Sequence, residues 1–108
     1  MRLSPLDPSM ALWHQGIALG HFYEGRDDEA VLSATIALRE GGHLITVAIL
    51  AASHAFLGHI DEAQKAVAYL QSIAPNWRLS KLPDLKLARR EKDRARYIEG
   101  LRRAGMPE

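Results

Sequence analysis

The sequence predicts an all-α fold, and three observations support this prediction. Of the 108 residues, 47% are hydrophobic, 25% are charged and only five are prolines, a composition typical of a helix-rich globular protein. A six-residue phrase occurs twice, 33 residues apart, as GRDDEA at 25–30 and GHIDEA at 58–63. Apolar helical runs lie before and after each copy. A repeat of this length predicts one supersecondary unit that is copied and stacked.

Each unit is predicted to be a helix, a turn and a second helix. Glycine suits the turn because the residue just past a helix often adopts a left-handed conformation. Acidic residues follow each glycine, where the free N–H groups of the next helix favour carboxylates. Ala30 and Ala63 then permit close helix crossing, and Gly16 and Gly20 are predicted to mark close packing as well. The four helices are expected near 9–24, 27–40, 44–57 and 60–74.

The two ends of the chain predict that it is a segment of a longer array of repeats. Asp7-Pro8 is a strong helix start, and two more helices are expected near 77–82 and 91–104, the last closed by Gly105 and Pro107. Terminal units of a solenoid are atypical. We therefore expect one domain made of a remnant of a preceding repeat (1–8), a first repeat (9–42), a second repeat (43–75) and a basic C-terminal cap (76–108).

The repeat resembles the tetratricopeptide repeat (TPR) family, whose units carry a small residue in the first helix, a Gly-x-x-x-x-Ala turn and a closing proline. Residues 11–75 cover two such units, with Ala18 matching Ala51. Pro75 closes the second unit, whereas Gly42 stands at that place in the first. The resemblance implies a right-handed helical solenoid with two complete repeats and C-terminal capping helices.

The same resemblance implies a binding surface. In the family, the first helix of each unit lines a concave groove that binds peptides or helices. Here that groove is apolar and lacks the lysines and asparagine that clamp a C-terminal carboxylate. Its occupant could be a partner helix, a neighbouring repeat or a second copy of the chain, and the alternative is that the basic tail or an upstream helix covers it. The predicted groove residues are Leu12, Gln15, Leu19, Phe22, Ile45, Ala48, Ala52 and Ala55.

The C-terminal residues 96–108 resemble the tail of bacterial class III adenylate/guanylate cyclases and of winged-helix regulators that carry TPRs. This resemblance implies a protein–protein interaction module, the regulatory or scaffolding C-terminal part of a larger bacterial signalling protein. Any catalytic domain would lie upstream, so we expect no enzyme activity and no cofactor in this chain. Self-association into a dimer is an alternative. The absence of cysteine and of a visible signal peptide favours the cytoplasm, and the apolar stretch 44–57 is too short to span a membrane.

Charge is distributed unevenly along the chain. Residues 1–75 carry four Lys/Arg against eight acids, a net charge of −4, whereas residues 76–108 carry ten against five, a net charge of +5. The tail could therefore lie against an acidic body or meet an external anion. Nucleic acid or another anionic surface is thus an alternative partner, through a basic face predicted at Arg89, Arg90, Lys92, Arg94 and Arg96.

Two patterns could indicate a chemical site. Five histidines invite a metal hypothesis, because His14 and His21 share a helix face and His54 would stack beside His21 in the next unit. The alternative, which we prefer, is that these imidazoles fill space between helices. The acidic pairs after each turn glycine could act as acid and base, but their place at a helix start explains them. The sequence therefore predicts no catalytic residue and no metal site.

Overall fold

In a computed structural model, residues 8–41, 44–79 and 90–108 are described, with side chains from Trp13 onward. Within these ranges the protein is all-helical, which confirms the predicted fold class. No helix there is long and apolar enough to cross a membrane. The five helices are α1 (Pro8–Tyr23), α2 (Asp27–Arg39), α3 (Leu44–Phe56), α4 (Ile60–Ile73) and α5 (Glu91–Arg103).

The predicted short helix at 77–82 and the remnant at 1–8 lie largely outside the described ranges. Of the residues of that predicted helix, 77–79 are described: Trp77 and Arg78 are not helical, whereas Leu79 is 3₁₀-helical. Trp77 and Leu79 are buried, and the Leu79 N–H donates to the Pro107 carbonyl at 2.9 Å. This contact joins the segment after α4 to the C-terminal residues, where Met106 is also buried.

The two glycine turns have the same backbone geometry, as the repeated phrase predicts. Gly25 and Gly58 both have φ +82°, a left-handed conformation that favours glycine. The Arg26 N–H donates to the His21 carbonyl at 2.8 Å, and the His59 N–H donates to the His54 carbonyl at 2.9 Å. The two copies of the phrase therefore build equivalent turns between α1 and α2 and between α3 and α4.

Each of the first three helices packs on the next one along the chain, and α1 also packs on α3. The small residues predicted at the crossings, Ala18, Ala30, Ala51 and Ala63, are all fully buried. Because alanine carries only a methyl group, these positions let helix backbones approach closely. Helix α5 packs mainly on α3 and touches α1. The core therefore lies between two helix pairs, with α5 across their first helices.

One packing prediction is wrong. Gly16 and Gly20 are exposed, and a Cβ atom at either position would meet nothing within 4 Å. Both glycines face solvent on α1 because the helix packs through other faces. The helical glycine with close neighbours is Gly100 of α5.

Candidate partner-binding groove

Helix α5 lies in the surface that the first helices of the two units form together. We call this surface the α1–α3 groove and define it by Phe22 of α1 and by Ala52 and Phe56 of α3. All three contact α5 through side chains that are named below. The groove therefore has a helix as its occupant within the chain itself.

Arg96 is the charged anchor of α5 in this groove. Its guanidinium carbon lies 4.5 Å from the ring centroid of Phe22 and 4.1 Å from that of Phe56. Its Nη1 and Nη2 donate to Asp27 Oδ1 and Oδ2 at 3.0 Å and 2.9 Å. A guanidinium near two aromatic rings and a carboxylate combines cation–π attraction with a bidentate ion pair. Four separate contacts thus fix one side chain.

Asp27 is the first residue of α2 and is 7% exposed. Two positive groups favour its carboxylate: the N-terminal end of α2 and the Arg96 guanidinium. The carboxylate has little access to water, so removal of Arg96 leaves a charge that is poorly solvated and unpaired. The ion pair therefore couples α5 to the start of α2.

Gly100 brings the two helix backbones together. A Cβ atom built there would lie 2.7 Å from Ala52 Cβ, 3.1 Å from Ala52 Cα and 3.0 Å from Phe56 Cε2. Real Cβ atoms do not approach other carbons this closely, because optimal carbon–carbon separations are about 3.5–4.0 Å. The position therefore requires glycine as long as α5 keeps this depth.

Apolar contacts on the same face of α5 complete the fit. The Tyr97 ring meets Phe22 edge-on with centroids 6.1 Å apart, an arrangement that aromatic pairs prefer. Leu101 is fully buried, one helical turn from Tyr97. These residues and Gly100 recur at helical spacing, so one face of α5 is buried while its other faces are polar.

The predicted groove residues fall into three classes in the structure. Phe22, Ala48, Ala52 and Ala55 are buried. Leu19 and Ile45 are partly buried against the core, as is Gln15, whose Oε1 accepts a 2.7 Å hydrogen bond from the Thr46 hydroxyl. The side chain of Leu12 lies outside the described residues. Sequence reasoning missed Asp27, Phe56 and Arg96 as groove components.

The predicted basic face divides in the structure. Arg90, Lys92 and Arg94 are exposed, Arg96 turns into the groove, and Arg89 lies outside the described residues. Arg90 also lies 3.5 Å from the carboxylate of Asp93. The cations that remain exposed therefore cover a smaller surface than the sequence predicts.

The two arginines near the end of α5 already have acidic neighbours. Glu99 accepts hydrogen bonds from Arg103 at 2.9 Å and from Arg102 at 3.1 Å. These bonds from Arg103 and Arg102 hold the pKa of Glu99 below its ordinary value. The C-terminal Glu108 also accepts from Arg102 at 3.2 Å. Phosphate contacts by these arginines would compete with existing ion pairs.

His14 and His21 of α1 each lie against an acidic side chain. His14 lies against the Glu40 carboxylate, and His21 Nδ1 lies 3.2 Å from Glu29 Oε2. The His21 pair joins α1 to α2, and the His14 pair joins α1 to Glu40, which caps the C-terminus of α2, so both mark the line along which these helices face each other. The imidazoles therefore serve contacts within the first unit, and the packing interpretation applies to them.

An apolar patch lies on the outside of α1 and α2, between the two histidine–glutamate pairs. Ile17 lies between the two histidines and Ile36 lies between the two glutamates at helical spacing. They are 37% and 41% exposed, and their neighbours Trp13 and Leu32 are each 65% exposed. We call these four residues the outer face. It is a surface separate from the α1–α3 groove.

His54 and His59 form a pair at the turn between α3 and α4. Their Nδ1 atoms are 3.2 Å apart and their ring centroids 5.4 Å apart. Burial lowers the pKa of His54, the neighbouring His59 lowers it further, and Glu62 opposes both effects. A hydrogen bond between these nitrogens requires one neutral acceptor. Among the described residues, no group of three or more His, Cys, Asp or Glu side chains could hold a metal ion.

Comparison with known proteins gives no relative for this chain. No model of a protein family matches it, and no match was found among curated proteins or solved structures. The function must therefore be argued from the site alone.

Proposed function

We propose that this chain is a protein–protein interaction module of the TPR type and that the α1–α3 groove is its partner-binding surface. The observation that carries the proposal is the fit of α5 in that groove. A surface that seats a helix through a glycine contact, two aromatic rings and a buried carboxylate has the features of a helix-in-groove receptor.

The repeat geometry supports the TPR-like arrangement. The two glycine turns share φ +82°, and α1 packs directly on α3, as first helices of adjacent units do in a stacked array. The resemblance of residues 96–108 to cyclase tails supports a wider context. In that context the module is the regulatory or scaffolding part of a larger cytoplasmic signalling protein, such as a nucleotide cyclase, with catalysis located upstream.

Two leucines of α1 and α2 offer a matched test of the binding surface. Leu19 is a groove residue predicted from the sequence and is partly buried, whereas Leu32 is an exposed residue of the outer face. Leu19→Ala and Leu32→Ala variants of the 108-residue chain would be used as bait in source-cell extracts, and co-purifying proteins would be quantified by mass spectrometry against the wild type. We expect Leu19→Ala to lose a partner that Leu32→Ala retains, with equal helicity by circular dichroism. The reverse pattern, or no difference, contradicts the proposal.

Self-association through the outer face is the second candidate function. The exposure of Trp13 and Leu32 favours it, because a contiguous apolar patch on a domain surface is a common contact site. Sedimentation at two protein concentrations should then show a dimer that Trp13→Gln dissociates and Tyr69→Gln, at an exposed aromatic of α4, does not. A monomer at both concentrations would exclude this function.

A further inference from the structure

We propose that the α1–α3 groove selects a helix that carries an arginine followed four residues later by glycine, and that α5 is its built-in occupant. This inference rests on the proposed function of the groove and specifies the chemistry of its partner. The partner is an amphipathic helix with the pattern of Arg96, Tyr97, Gly100 and Leu101, that is, Arg-aromatic-x-x-Gly-apolar.

The preference for arginine follows from the geometry around Asp27. Both carboxylate oxygens accept from one guanidinium, and both phenyl rings lie within cation–π distance of the same group. A lysine ammonium is a point charge that cannot bond two oxygens in parallel or present a planar face to the rings. The site therefore matches a planar, forked cation, and a helix that lacks one leaves Asp27 buried and unpaired.

The requirement for glycine follows from the floor of the groove. Ala52 is fully buried in α3, so the α3 backbone cannot move away from α5 without disturbing the core. Only a residue without a Cβ atom reaches the depth of Gly100. Arginine and glycine four residues apart lie on one face of a helix. Their spacing thus fixes both the depth and the register of a helix in the groove.

The composition of α5 supports its role as an occupant. Its buried residues are Asp93, Tyr97, Gly100 and Leu101, and the rest of the helix is exposed or partly exposed. One face of α5 therefore carries its buried contacts, through the same groups that a partner helix would use. A partner with the same pattern competes with α5 for the groove.

A peptide of residues 90–108 tests this competition. The labelled peptide is titrated with the 108-residue chain by fluorescence anisotropy. Wild-type chain is compared with an Arg96→Ala chain, whose own α5 is a weaker competitor. We expect the Arg96→Ala chain to bind the wild-type peptide at least about tenfold more tightly than wild-type chain does. In the peptide, Arg96→Ala should weaken binding about tenfold or more, because a bidentate charged contact is lost.

The matched control is a peptide with Arg94→Ala. Arg94 is exposed and lies two residues away, about 200° around the helix from Arg96, so this change removes the same charge from a different face of the helix. It should alter binding by less than about twofold at physiological salt, because exposed ion pairs contribute little. Equal losses for the two peptides overturn the inference, since binding would then follow net charge.

Two further results decide the matter. If the Arg96→Ala chain does not fold, the same peptides are compared on wild-type chain at higher concentrations, where the ratio of their affinities tests the same point. Wild-type dimers that the peptide separates into monomers support the inference, because α5 of a second copy then fills the groove. The absence of peptide binding to any folded chain overturns it. Loss of arginine preference alone leaves the Leu19 experiment, and the proposed function, unaffected.

Discussion

Gly100→Ala is the sharpest test of how deeply α5 lies in the groove. The new Cβ atom would be 2.7 Å from Ala52 Cβ, so α5 must move outward by about 1 Å to reach a normal carbon–carbon distance. Overpacking of this kind lowers the free energy of unfolding by about 1–3 kcal/mol. The better helix propensity of alanine raises it by about 1 kcal/mol. We therefore expect a net loss of about 0–2 kcal/mol in the free energy of unfolding.

Gly20→Ala supplies the matched control. Gly20 is also helical, but a Cβ atom there meets nothing within 4 Å, so the variant should gain about 0.5–1 kcal/mol. Because the helix-propensity gain is common to both variants, the difference between them isolates the packing cost of about 1–3 kcal/mol. This comparison removes the uncertainty in the propensity value.

Thermal and urea unfolding of the 108-residue chain, followed by circular dichroism, measure the difference in stability between the two variants. For 108 residues, an unfolding entropy of about 2.1 cal/mol/K per residue converts each kcal/mol into about 4 °C in Tm. The Gly100→Ala protein should therefore melt about 4–13 °C below the Gly20→Ala protein. Equal melting temperatures, or a more stable Gly100→Ala protein, would refute the close contact between α5 and α3.

Three other perturbations have defined outcomes. An NMR titration should give His54 a pKa below its ordinary value of 6.5. The His59→Asn change should raise the pKa of His54, because a neighbouring imidazolium disfavours the charged form. An unchanged pKa of His54 in that variant would contradict the assigned cause. Since the pKa of His54 is depressed in the folded state, its contribution to stability is complete above about pH 6.5 and is lost as the pH falls through the folded pKa. Urea unfolding between pH 7 and 5 should therefore show a smaller loss of stability for His54→Gln than for wild type, and an equal loss would count against this linkage. Gly25→Ala and Gly58→Ala should each lose about 1–2 kcal/mol in the same assay, because both turns are left-handed; a clear inequality would mean that the two turns are not equivalent. Phe22→Ala, at a fully buried ring, should cost about 3–5 kcal/mol, and a loss below about 1 kcal/mol would contradict its place in the core.

The helices and turns could be predicted because their signals are local. Helical periodicity sets the first four helices, and the repeated glycine sets the turn at which each pair reverses. The described helices agree with the predicted bounds to within about two residues. Gly16 and Gly20 show the limit of this reasoning, because a glycine in a helix does not reveal which face of the helix is packed.

The groove could be predicted only in part, because its anchor joins distant residues. Asp27 stands in a helix start that explains its charge, and Arg96 stands in a basic segment that explains its own. Each interpretation is adequate locally, yet the two side chains bond across a separation of 69 residues. Neither periodicity nor composition carries information about such a pairing. Gly100 is unfavourable in a helix interior, but the exposed Gly16 and Gly20 show that such a glycine does not by itself indicate close approach.

The opposite net charges of residues 1–75 and residues 76–108 do not by themselves determine where α5 packs. Attraction between a net charge of −4 and one of +5 acts over a distance, has no preferred register and is screened beyond about 10 Å at moderate salt. The ion pair between Arg96 and Asp27 is largely removed from solvent, so salt weakens it less than it weakens the net-charge attraction. The Gly100 contact does not depend on salt. The position of α5 should therefore persist when net-charge attraction is screened. By the same reasoning, a partner that is merely basic does not replace α5, because it would supply the attraction without the arginine and glycine that set depth and register.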